Sequence, residues 1–250
     1  MKFIGIIPAR FASTRFPGKP LAMIGDRSMI MRVYEQARKA SCFEEVIVAT
    51  DDDRIEKHVL KNGGKVVMTS DKHRSGTDRV YEAFCSCVPA IIDRKDYVVI
   101  NIQGDEPFID PAMIDTLSGC FKSPDVGIAT LVKKINSEKE LLDENVVKAV
   151  IGKSKRALYF SRSPLPFLRG AELNNWLSEH SFFEHVGIYA YRAEILKEIS
   201  ALEPSPLEMA EGLEQLRWLD NGYTVYTELT DYESVSVDTP EDLLKITNKV

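Results

Sequence analysis

The sequence lacks several features that mark common classes of protein. Its 250 residues carry 32 lysines and arginines against 38 aspartates and glutamates, a formal net charge of −6. No basic excess or basic stripe is present, so we expect no polymeric nucleic acid as a partner. No run approaches the ~20 apolar residues of a membrane span, and the apolar start is too short for a secretory signal. We therefore expect a soluble, cytoplasmic protein without a membrane partner.

Common cysteine and glycine signatures are missing as well. The chain has no G-x-G-x-x-G and no G-x-S-x-G, and Gly18-Lys19 is followed by Pro20 where a Walker loop needs serine or threonine. No C-x-x-C pair occurs either. We interpret the cysteines as small buried residues of a reducing compartment; they are Cys42, Cys85, Cys87 and Cys120.

Strand and helix signals alternate over the first 120 residues. Runs that are apolar on both faces, at 3–7, 46–49 and 97–102, predict buried parallel strands. Helices are predicted between them, at 29–40, after Asp52 and at 77–87. This order indicates βαβ units, whose ligands lie beyond the carboxyl ends of the strands.

The second half of the chain is less regular. Mixed strands are predicted at 126–132, 146–151, 157–160, 186–191 and 223–229, with helices at 207–219 and from Pro240 onward. No linker or internal repeat is evident. We therefore predict one α/β domain over residues 1–250, with a mostly parallel central sheet and a smaller mixed second lobe.

Three cations lie on the loop that follows the first predicted strand. Arg10, Arg15 and Lys19 are separated there by hydroxyl side chains and free backbone N–H groups. Such a loop can neutralise a triphosphate while its amides donate hydrogen bonds. A solvated basic loop is the alternative on composition alone.

Two aspartates lie at positions suited to a metal. Asp105 comes after Gly104 at the end of the 97–102 strand, and Asp238 precedes the last helix. Mg²⁺ takes one or two carboxylates together with phosphate oxygens. Asp238 alone would also suit a helix N-cap. Asp51-Asp52-Asp53 contains the D-x-D pattern of glycosyltransferases, but it begins a helix, and two helix-capping aspartates explain it.

These motifs together resemble one enzyme family. The three stretches are 8–20, 103–107 and 237–242, and the likeness continues through 73–78, 159–162, 185–189, 204–208 and 213–217 in order and spacing. They resemble the 3-deoxy-manno-octulosonate cytidylyltransferases, or CMP-Kdo synthetases. The resemblance covers nearly the whole chain and rests on the sum of its motifs. Residues 162–184 carry no clear motif.

The resemblance implies a fold, a reaction and a set of roles. The fold is a Rossmann-like nucleotide-diphospho-sugar transferase fold, with a nucleotide-binding part at about 1–120 and a sugar-binding and dimerisation part at about 121–250. The reaction joins CMP from CTP to Kdo with Mg²⁺ as cofactor and releases pyrophosphate, for lipopolysaccharide biosynthesis, in a homodimer. The roles implied are nucleotide binding by Arg10, Arg15, Lys19, Ser75, Gly76 and Gln103, catalysis by Lys19, Arg10 and Asp105, metal binding by Asp105 and Asp238, and sugar binding by Arg162, His185, Glu214 and Gln215.

The sugar-binding residues also suit their task chemically. The planar fork of Arg162 can meet a carboxylate, Glu214 and Gln215 can hydrogen-bond hydroxyls, and His185 can donate or accept. Two other enzymes stay open: a cytidylyltransferase for a related sugar acid such as an amino-substituted Kdo, and a glycosyltransferase that uses the D-x-D pattern. A nucleotide-binding regulatory protein is the third alternative, and the intact set of Lys19, Asp105 and Asp238 argues against it.

Overall fold

The structure is a computed structural model that describes residues 1–12, 16–73, 75–89, 94–233 and 235–247. Its strands are β1 (Lys2–Ala9), β2 (Met23–Ile24), β3 (Arg27–Ser28), β4 (Phe43–Thr50), β5 (Val66–Met68), β6 (Tyr97–Asn101), β7 (Ile128–Lys134), β8 (Lys148–Ile151), β9 (Ala157–Ser161), β10 (Phe183–Arg192) and β11 (Val225–Leu229). Its helices are α1 (Met29–Ala37), α2 (Asp53–Lys61), α3 (Gly76–Cys87), α4 (Pro111–Gly119), α5 (Glu138–Leu142), α6 (Trp176–Glu179), α7 (Ala193–Ser200), α8 (Pro206–Glu211), α9 (Gln215–Asp220) and α10 (Pro240–Thr247).

One nine-stranded sheet runs through both halves of the chain. Its central order is β11-β7-β10-β6-β1-β4-β5. Strands β6, β1, β4 and β5 are parallel neighbours, and β10 alone runs antiparallel between β6 and β7. Because β1, β4 and β6 are parallel, the loops that follow them emerge at the same edge of the sheet. The predicted mostly parallel α/β fold is confirmed.

The smaller mixed part of the sheet lies beyond β10. Strand β8 pairs antiparallel with β10 and with β9, so both leave the line of the central strands. The short strands β2 and β3 form a separate two-stranded antiparallel sheet. No helix in the described ranges has the length and apolar character needed to cross a membrane.

Both faces of the central strands are buried. On β1, Ile6 and Ile7 face opposite apolar clusters, and Val99 and Ile100 on β6 alternate in the same way. The cluster around Ile7 includes residues of α1 and α4, and the cluster around Ile6 includes residues of α3 and α7. Helices thus cover the sheet on two sides, which explains why these strands read as continuous apolar runs.

The single helix predicted over 207–219 is wrong. Gly212 adopts a left-handed conformation with φ of 64°, which ends α8 and lets the chain turn before α9 begins. Glycine tolerates this conformation because it has no β-carbon. The break places Glu214 and Gln215 at the amino end of α9, and Gln215 is only 5% exposed. A residue that pattern alone would assign to a solvated helix face is therefore buried.

Candidate active site

The basic loop turns sharply after β1. Gly18 has a φ of 74°, and its N–H donates to the carbonyl of Phe11 over 2.9 Å. A β-carbon at Gly18 would lie 3.1 Å from the Phe11 ring, so both the backbone and the available space favour glycine. Lys19 then opens a one-turn 3-10 helix with Pro20. The turn brings the Lys19 side chain back to the edge of the sheet.

Lys19 contacts both of the predicted metal carboxylates. Its Nζ lies 2.9 Å from Oδ2 of Asp105 and 3.3 Å from Oδ1 of Asp238. The backbone N–H of Val237 donates to the carbonyl of Asp105 over 3.0 Å, so the two acidic segments are also joined through their main chains. Asp105 lies 86 positions from Lys19 in the sequence and Asp238 lies 219 positions from it, yet both carboxylates contact this one ammonium group.

Asp238 is not the N-cap of the last helix. The hydroxyl of Thr239 accepts the N–H of Asp242 over 3.2 Å, and the Asp242 carboxylate accepts the N–H groups of Asp238 and Thr239. These bonds form the start of α10 without the Asp238 side chain. The Asp238 carboxylate instead pairs with the Lys19 ammonium over 3.3 Å.

Asp105 and Asp238 are the two carboxylates to which the sequence assigns a metal ion. The Lys19 ammonium already lies between their carboxylates, so the pair holds one positive charge. Within the part of the chain that the structure describes, no three carboxylate, imidazole or thiol groups converge on one point. Mg²⁺ often binds through one or two carboxylates and completes its coordination with water and substrate phosphates. The pair fits such a shared site.

The loop after β6 packs directly on the end of β1. A β-carbon at Gly104 would lie 2.9 Å from the carbonyl oxygen of Pro8, which is closer than packing allows. Gly104 therefore permits the two loops to touch and places Gln103 and Asp105 beside the basic loop. The Nε2 of Gln103 donates to the carbonyl of Gly187 over 2.8 Å, which ties this loop to β10.

Arg10 is held by two backbone carbonyls. Its Nη2 donates to His73 over 2.7 Å and to Ser75 over 3.2 Å. Burial, and then the nearby Arg79 cation, lowers the pKa of the Arg10 guanidinium. Arg10 thus fixes the segment leading into α3 to the end of β1 and also adds positive charge to the cleft.

Ser75 and Gly76 lie at the amino end of α3. The Ser75 hydroxyl accepts the N–H of Asp78 over 3.1 Å, and the Asp78 carboxylate accepts the N–H of Ser75, which completes a capping box. Ser75 therefore has a structural role as the N-cap of α3. Gly76, the first residue of the helix, lines the cleft directly.

The cleft has two joined compartments. The first has a volume of about 300 Å³ and is lined by Pro8, Ala9, Arg10, Ala12, Lys19, Pro20, Gly76, Gln103, Gly104 and Asp105. The second has a volume of about 200 Å³ and is lined by Pro8, Gly76, Thr77, Asn101, Gln103, Tyr189, Tyr191, Glu214, Gln215 and Trp218. They share Pro8, Gly76 and Gln103. Two ligands bound side by side would therefore meet at Gln103.

The second compartment contains buried polar atoms without partners. They are the hydroxyl of Tyr189 and Nε1 of Trp218, neither of which has a hydrogen-bond partner among the described residues, whereas the Tyr191 hydroxyl interacts with Thr77 and Asn101. Leaving a buried polar atom unpaired costs about 1–3 kcal/mol. Two such atoms in the wall of one cavity, beside the polar groups of Asn101 and Tyr191, indicate a site that a polar ligand completes.

Glu214 and Gln215, to which the family resemblance assigns sugar binding, lie in the wall of the second compartment. Burial raises the pKa of the Glu214 carboxyl, while hydrogen bonding with Thr77 and Ser75 opposes the rise. The same side chain also reaches a neighbouring surface cleft that includes Gly212 and Arg217. Glu214 thus stands between the cavity and the amino end of α3.

Arg162 lies outside the residues that line the two compartments. Its Nε donates to the carbonyl of Glu211 over 2.8 Å and its Nη1 to the carbonyl of Glu144 over 2.9 Å. A β-carbon at Gly212, in the neighbouring cleft, would lie 3.9 Å from Nη2 of Arg162. The guanidinium is therefore fixed by the main chain, with Nη2 towards that cleft.

His185 lies next to the second compartment on β10. Its ring packs edge-on against Phe160 and is tilted against Tyr189, with ring centroids 5.1 Å apart in both pairs. Its Nε2 is 3.0 Å from Oγ1 of Thr130. Burial lowers the pKa of the imidazole to about 3. The ring is therefore neutral at physiological pH.

The D-x-D pattern is occupied by structural contacts. Asp51 pairs with the buried Arg79 over 2.6 Å, and Asp52 caps α2 by accepting the N–H of Arg54. Helix capping thus accounts for Asp52, as expected, whereas Asp51 is held by an ion pair that the sequence did not predict. Arg15, which the sequence predicts to bind the triphosphate, lies outside the described residues.

Sequence reasoning missed four residues of the second compartment: Asn101, Tyr189, Tyr191 and Trp218. A signal was present, because Asn101 is the polar end of an otherwise apolar buried strand. The two tyrosines are two positions apart on β10, so they face the same side of the sheet. Trp218 was expected only as a core residue.

Comparisons with known proteins agree with this architecture. The sequence profile described as cytidylyltransferase matches residues 4–230. The 3-deoxy-manno-octulosonate cytidylyltransferase of Parabacteroides distasonis is 53% identical over 249 residues, covering 98% of this chain and 96% of that protein. The protein of the same name from Thermodesulfovibrio yellowstonii is 46% identical over 244 residues, covering 97% of this chain and 96% of its own length.

A solved structure shows the same fold over the whole chain. It is a CMP:2-keto-3-deoxy-manno-octonic acid synthetase complexed with CTP, which superposes with a TM-score of 0.89 at 41% sequence identity and covers 100% of this chain and 98% of that one. The profile covers most of the chain, and the sequence identity to the full-length relatives is higher than a shared fold alone would give. The chain therefore belongs to the cytidylyltransferase family, among the 3-deoxy-manno-octulosonate cytidylyltransferases.

Proposed function

We propose that this chain transfers CMP from CTP to 3-deoxy-D-manno-octulosonate (Kdo), giving CMP-Kdo and pyrophosphate. One observation carries the proposal: a compartment lined by cations and backbone groups joins, at Gln103, a second compartment lined by unpaired polar atoms. The first suits a triphosphate and the second a polyhydroxylated sugar acid. The relatives and the solved synthetase bear the corresponding names.

CTP occupies the first compartment in this proposal. Lys19 and Arg10 line it and neutralise the triphosphate, while the amino end of α3 at Gly76 offers free backbone N–H groups. The sequence places Arg15 on the same loop, where it adds a third cation. Because charge grows on the leaving pyrophosphate, these cations stabilise the transition state more than the ground state.

Kdo occupies the second compartment. Its hydroxyls meet Asn101, Tyr189 and Tyr191, and the Tyr189 hydroxyl gains there the partner that it otherwise lacks. Glu214 and Gln215 add acceptors and donors from the amino end of α9. Arg162 remains our candidate for the carboxylate of the sugar acid, reached through its Nη2.

The reaction is an in-line displacement at the α-phosphorus of CTP. The anomeric hydroxyl of Kdo attacks the α-phosphorus and releases its proton to water, the bond from the α-phosphorus to the bridging oxygen breaks, and the electron pair leaves with pyrophosphate. Catalysis rests on positioning the two substrates and on neutralising charge. Mg²⁺ held by Asp105 and Asp238 together with the phosphates supplies Lewis-acid polarisation of the α-phosphate when it is bound. No protein nucleophile is required.

The family resemblance also implies a cellular location, an oligomeric state and a pathway for the enzyme. We propose that it works in the cytoplasm as a homodimer and that its product feeds lipopolysaccharide biosynthesis. The exposed apolar side chains Leu158, Phe167 and Leu229 lie in the part of the chain to which the dimer surface is assigned. Light scattering on the purified protein measures the assembly directly, and a monomeric mass at micromolar concentration would contradict it.

A pyrophosphate-release assay tests the proposed function. CTP, UTP, ATP and GTP are each offered with Mg²⁺ and either Kdo, an amino-substituted Kdo or an unrelated sugar acid. We expect the highest kcat/KM for CTP with Kdo. Higher kcat/KM for the amino-substituted sugar would reassign the acceptor, and the absence of pyrophosphate with every pair would overturn the proposal.

A further inference from the structure

Thr130 lies on β7, opposite a register shift in β10. The strand register between β7 and β10 shifts between Val186 and Tyr189, so the backbone at Gly187 bulges out of the ladder. Bulges of this kind re-aim side chains and often lie beside active sites. Thr130 is fully buried opposite the shift and pairs with Tyr189 in the register.

The Thr130 hydroxyl has three polar atoms within hydrogen-bond distance but only one proton to donate. Its Oγ1 lies 2.7 Å from the carbonyl oxygen of Ile188, 3.2 Å from that of Val186 and 3.0 Å from Nε2 of His185. A hydroxyl donates one proton and accepts through its lone pairs. Two oxygens approach to 2.7 Å only with a proton between them, so the hydroxyl donates to the Ile188 carbonyl.

The remaining contact fixes the proton on His185. The Thr130 hydroxyl donates its single proton to the carbonyl oxygen of Ile188, so in the contact with His185 it is Nε2 that donates and Oγ1 that accepts. A neutral imidazole carries one proton, so the Nδ1 of His185 is then an acceptor. Nδ1 makes no hydrogen bond to any residue in the described ranges.

We propose that Thr130 is a positioning residue: it holds His185 in the Nε2–H tautomer and thereby presents the Nδ1 lone pair to a hydroxyl of the sugar acid. The proposal rests on the proposed function, because it names which way the hydrogen bond between His185 and the sugar runs. It assigns His185 as an acceptor and excludes it as a cation for the carboxylate. The same hydroxyl also anchors the bulge whose Gly187 carbonyl accepts Gln103.

The surroundings of the ring support a neutral acceptor. Phe160 and Tyr189 flank the imidazole, and neither supplies a charge that would favour the imidazolium form. Burial lowers the pKa of His185 to about 3, so protonation of Nδ1 does not compete with a substrate hydrogen bond at neutral pH. Tyr189 itself lines the second compartment, which places the ring beside the proposed sugar site.

Nitrogen NMR on the histidine-labelled protein tests the tautomer directly. The chain has only four histidines, and the signals of His185 are assigned by their loss in His185→Asn. We expect Nε2 in the protonated range and Nδ1 in the unprotonated range, and a shift of Nδ1 towards the protonated range when Kdo and CTP are added. A protonated Nδ1 in the free protein would overturn the proposal.

Kinetics of Thr130 variants test its consequence for the sugar. Thr130→Val keeps the shape and removes the hydroxyl, so the KM for Kdo should rise roughly 3- to 10-fold, with little change in the KM for CTP. The histidine spectrum should then show both tautomers. Thr130→Ser restores the hydroxyl and should restore a single tautomer and most of the affinity for Kdo. A Val variant with the parent spectrum and the parent KM would contradict the proposal.

Thr227→Val is the matched control. Thr227 is the buried register partner of Thr130 on β11, and its hydroxyl donates to the carbonyl of Lys155 over 3.0 Å, away from His185. Its loss should leave the His185 signals and both KM values as in the parent. The spectrum of the free protein needs neither substrate, so a wrong tautomer in an active enzyme rejects this inference alone, whereas an absence of CMP transfer rejects the proposed function.

Discussion

The ammonium of Lys19 lies 2.9 Å from a carboxylate oxygen of Asp105, although 86 positions separate the two residues. Asp238 shares the same cation at 3.3 Å. The Lys19 side chain is 14% exposed, so water screens the contact only in part. The lysine thus lies between the two carboxylates that the proposed mechanism assigns to a divalent cation.

Asp105→Asn should reduce kcat by at least ~10²-fold, the size typical of removing one preorganised electrostatic element. The amide keeps the shape of the carboxylate but loses the charge that holds a cation. Pyrophosphate release measures the loss, and circular dichroism checks that the protein remains folded. Asp125→Asn, at an exposed aspartate, is the control and should behave as the parent. Near-normal turnover in folded Asp105→Asn would remove the metal role from this residue.

Lys19→Met should change metal binding and turnover in opposite directions. Removing a unit charge about 4 Å from the site should strengthen Mn²⁺ binding in the absence of CTP by roughly tenfold or more, because Lys19 no longer competes for the carboxylates. The same variant should use CTP poorly and turn over slowly, since the leaving group loses a cation.

Electron paramagnetic resonance of free Mn²⁺ measures this affinity without any catalysis. Lys57→Met, at an exposed lysine of α2, controls for the loss of one positive charge from the molecule. Unchanged Mn²⁺ affinity in Lys19→Met would show that Lys19 and the metal do not share a site. Unchanged CTP kinetics would show that Lys19 is only a structural counter-ion of the two aspartates.

Arg162→Ala should raise the KM for Kdo roughly 10- to 150-fold, the range expected for one charge-assisted hydrogen bond, with little effect on CTP. Arg162→Lys should recover only part of the loss, because an ammonium lacks the planar fork. Arg169→Ala, at an exposed arginine nearby in the chain, is the control.

Arg162 also has a structural role that the same variant tests. Two backbone carbonyls accept from its guanidinium, and both lose their donor in Arg162→Ala. Denaturant unfolding separates this effect from substrate binding. Lower stability with an unchanged KM for Kdo would assign Arg162 to the scaffold, and Gln215 would then be examined as the partner of the carboxylate.

His185 should make the folded protein less stable in acid. Its folded pKa is about 3, below the ordinary value of 6.5 that holds in the unfolded chain. Between those two values the unfolded state binds a proton that the folded state does not, so stability falls as the pH falls from 6.5 towards 3. The slope from one such group is at most about 1.4 kcal/mol per pH unit.

Urea unfolding at several pH values measures that slope. His185→Gln should reduce it, and His180→Gln, at an exposed histidine, should leave it as in the parent. His58 also has a lowered pKa through burial and adds to the slope in both variants. An equal slope in the parent and in His185→Gln would show that His185 does not titrate in this way.

Local sequence patterns predicted the strands and the loops that carry chemistry. Strands β1, β4 and β6 are apolar on both faces because helices cover both sides of the sheet, and a continuous run records that burial. Lys19 and Asp105 were identifiable because each follows such a strand. Their direct contact was not, since it depends on how two distant loops pack at Gly104 and Pro8.

The sugar side was harder to predict from local patterns. The break at Gly212 depends on a left-handed backbone, which a helical spacing of apolar residues does not reveal. Tyr189 and Trp218 read as core residues because they are buried, and only the three-dimensional arrangement shows that their polar atoms lack partners. The sugar-binding roles of Arg162 and His185 were assigned from the family resemblance. The contacts of Arg162 with backbone carbonyls and of His185 with Thr130 join distant parts of the chain, so only the fold shows them.

The most direct test of the central claim is to observe the bond that the enzyme forms. The protein is incubated in H₂¹⁸O with Mg²⁺, CTP and Kdo that carries ¹³C at its anomeric carbon and whose anomeric oxygen has been equilibrated with that water, and the product is examined by ³¹P and ¹³C NMR. We predict a phosphodiester in which CMP phosphorus couples to the labelled carbon through the retained ¹⁸O, with one pyrophosphate released per product. Unlabelled oxygen in the new bond, or release of a nucleoside mono- or diphosphate without pyrophosphate, would contradict the account.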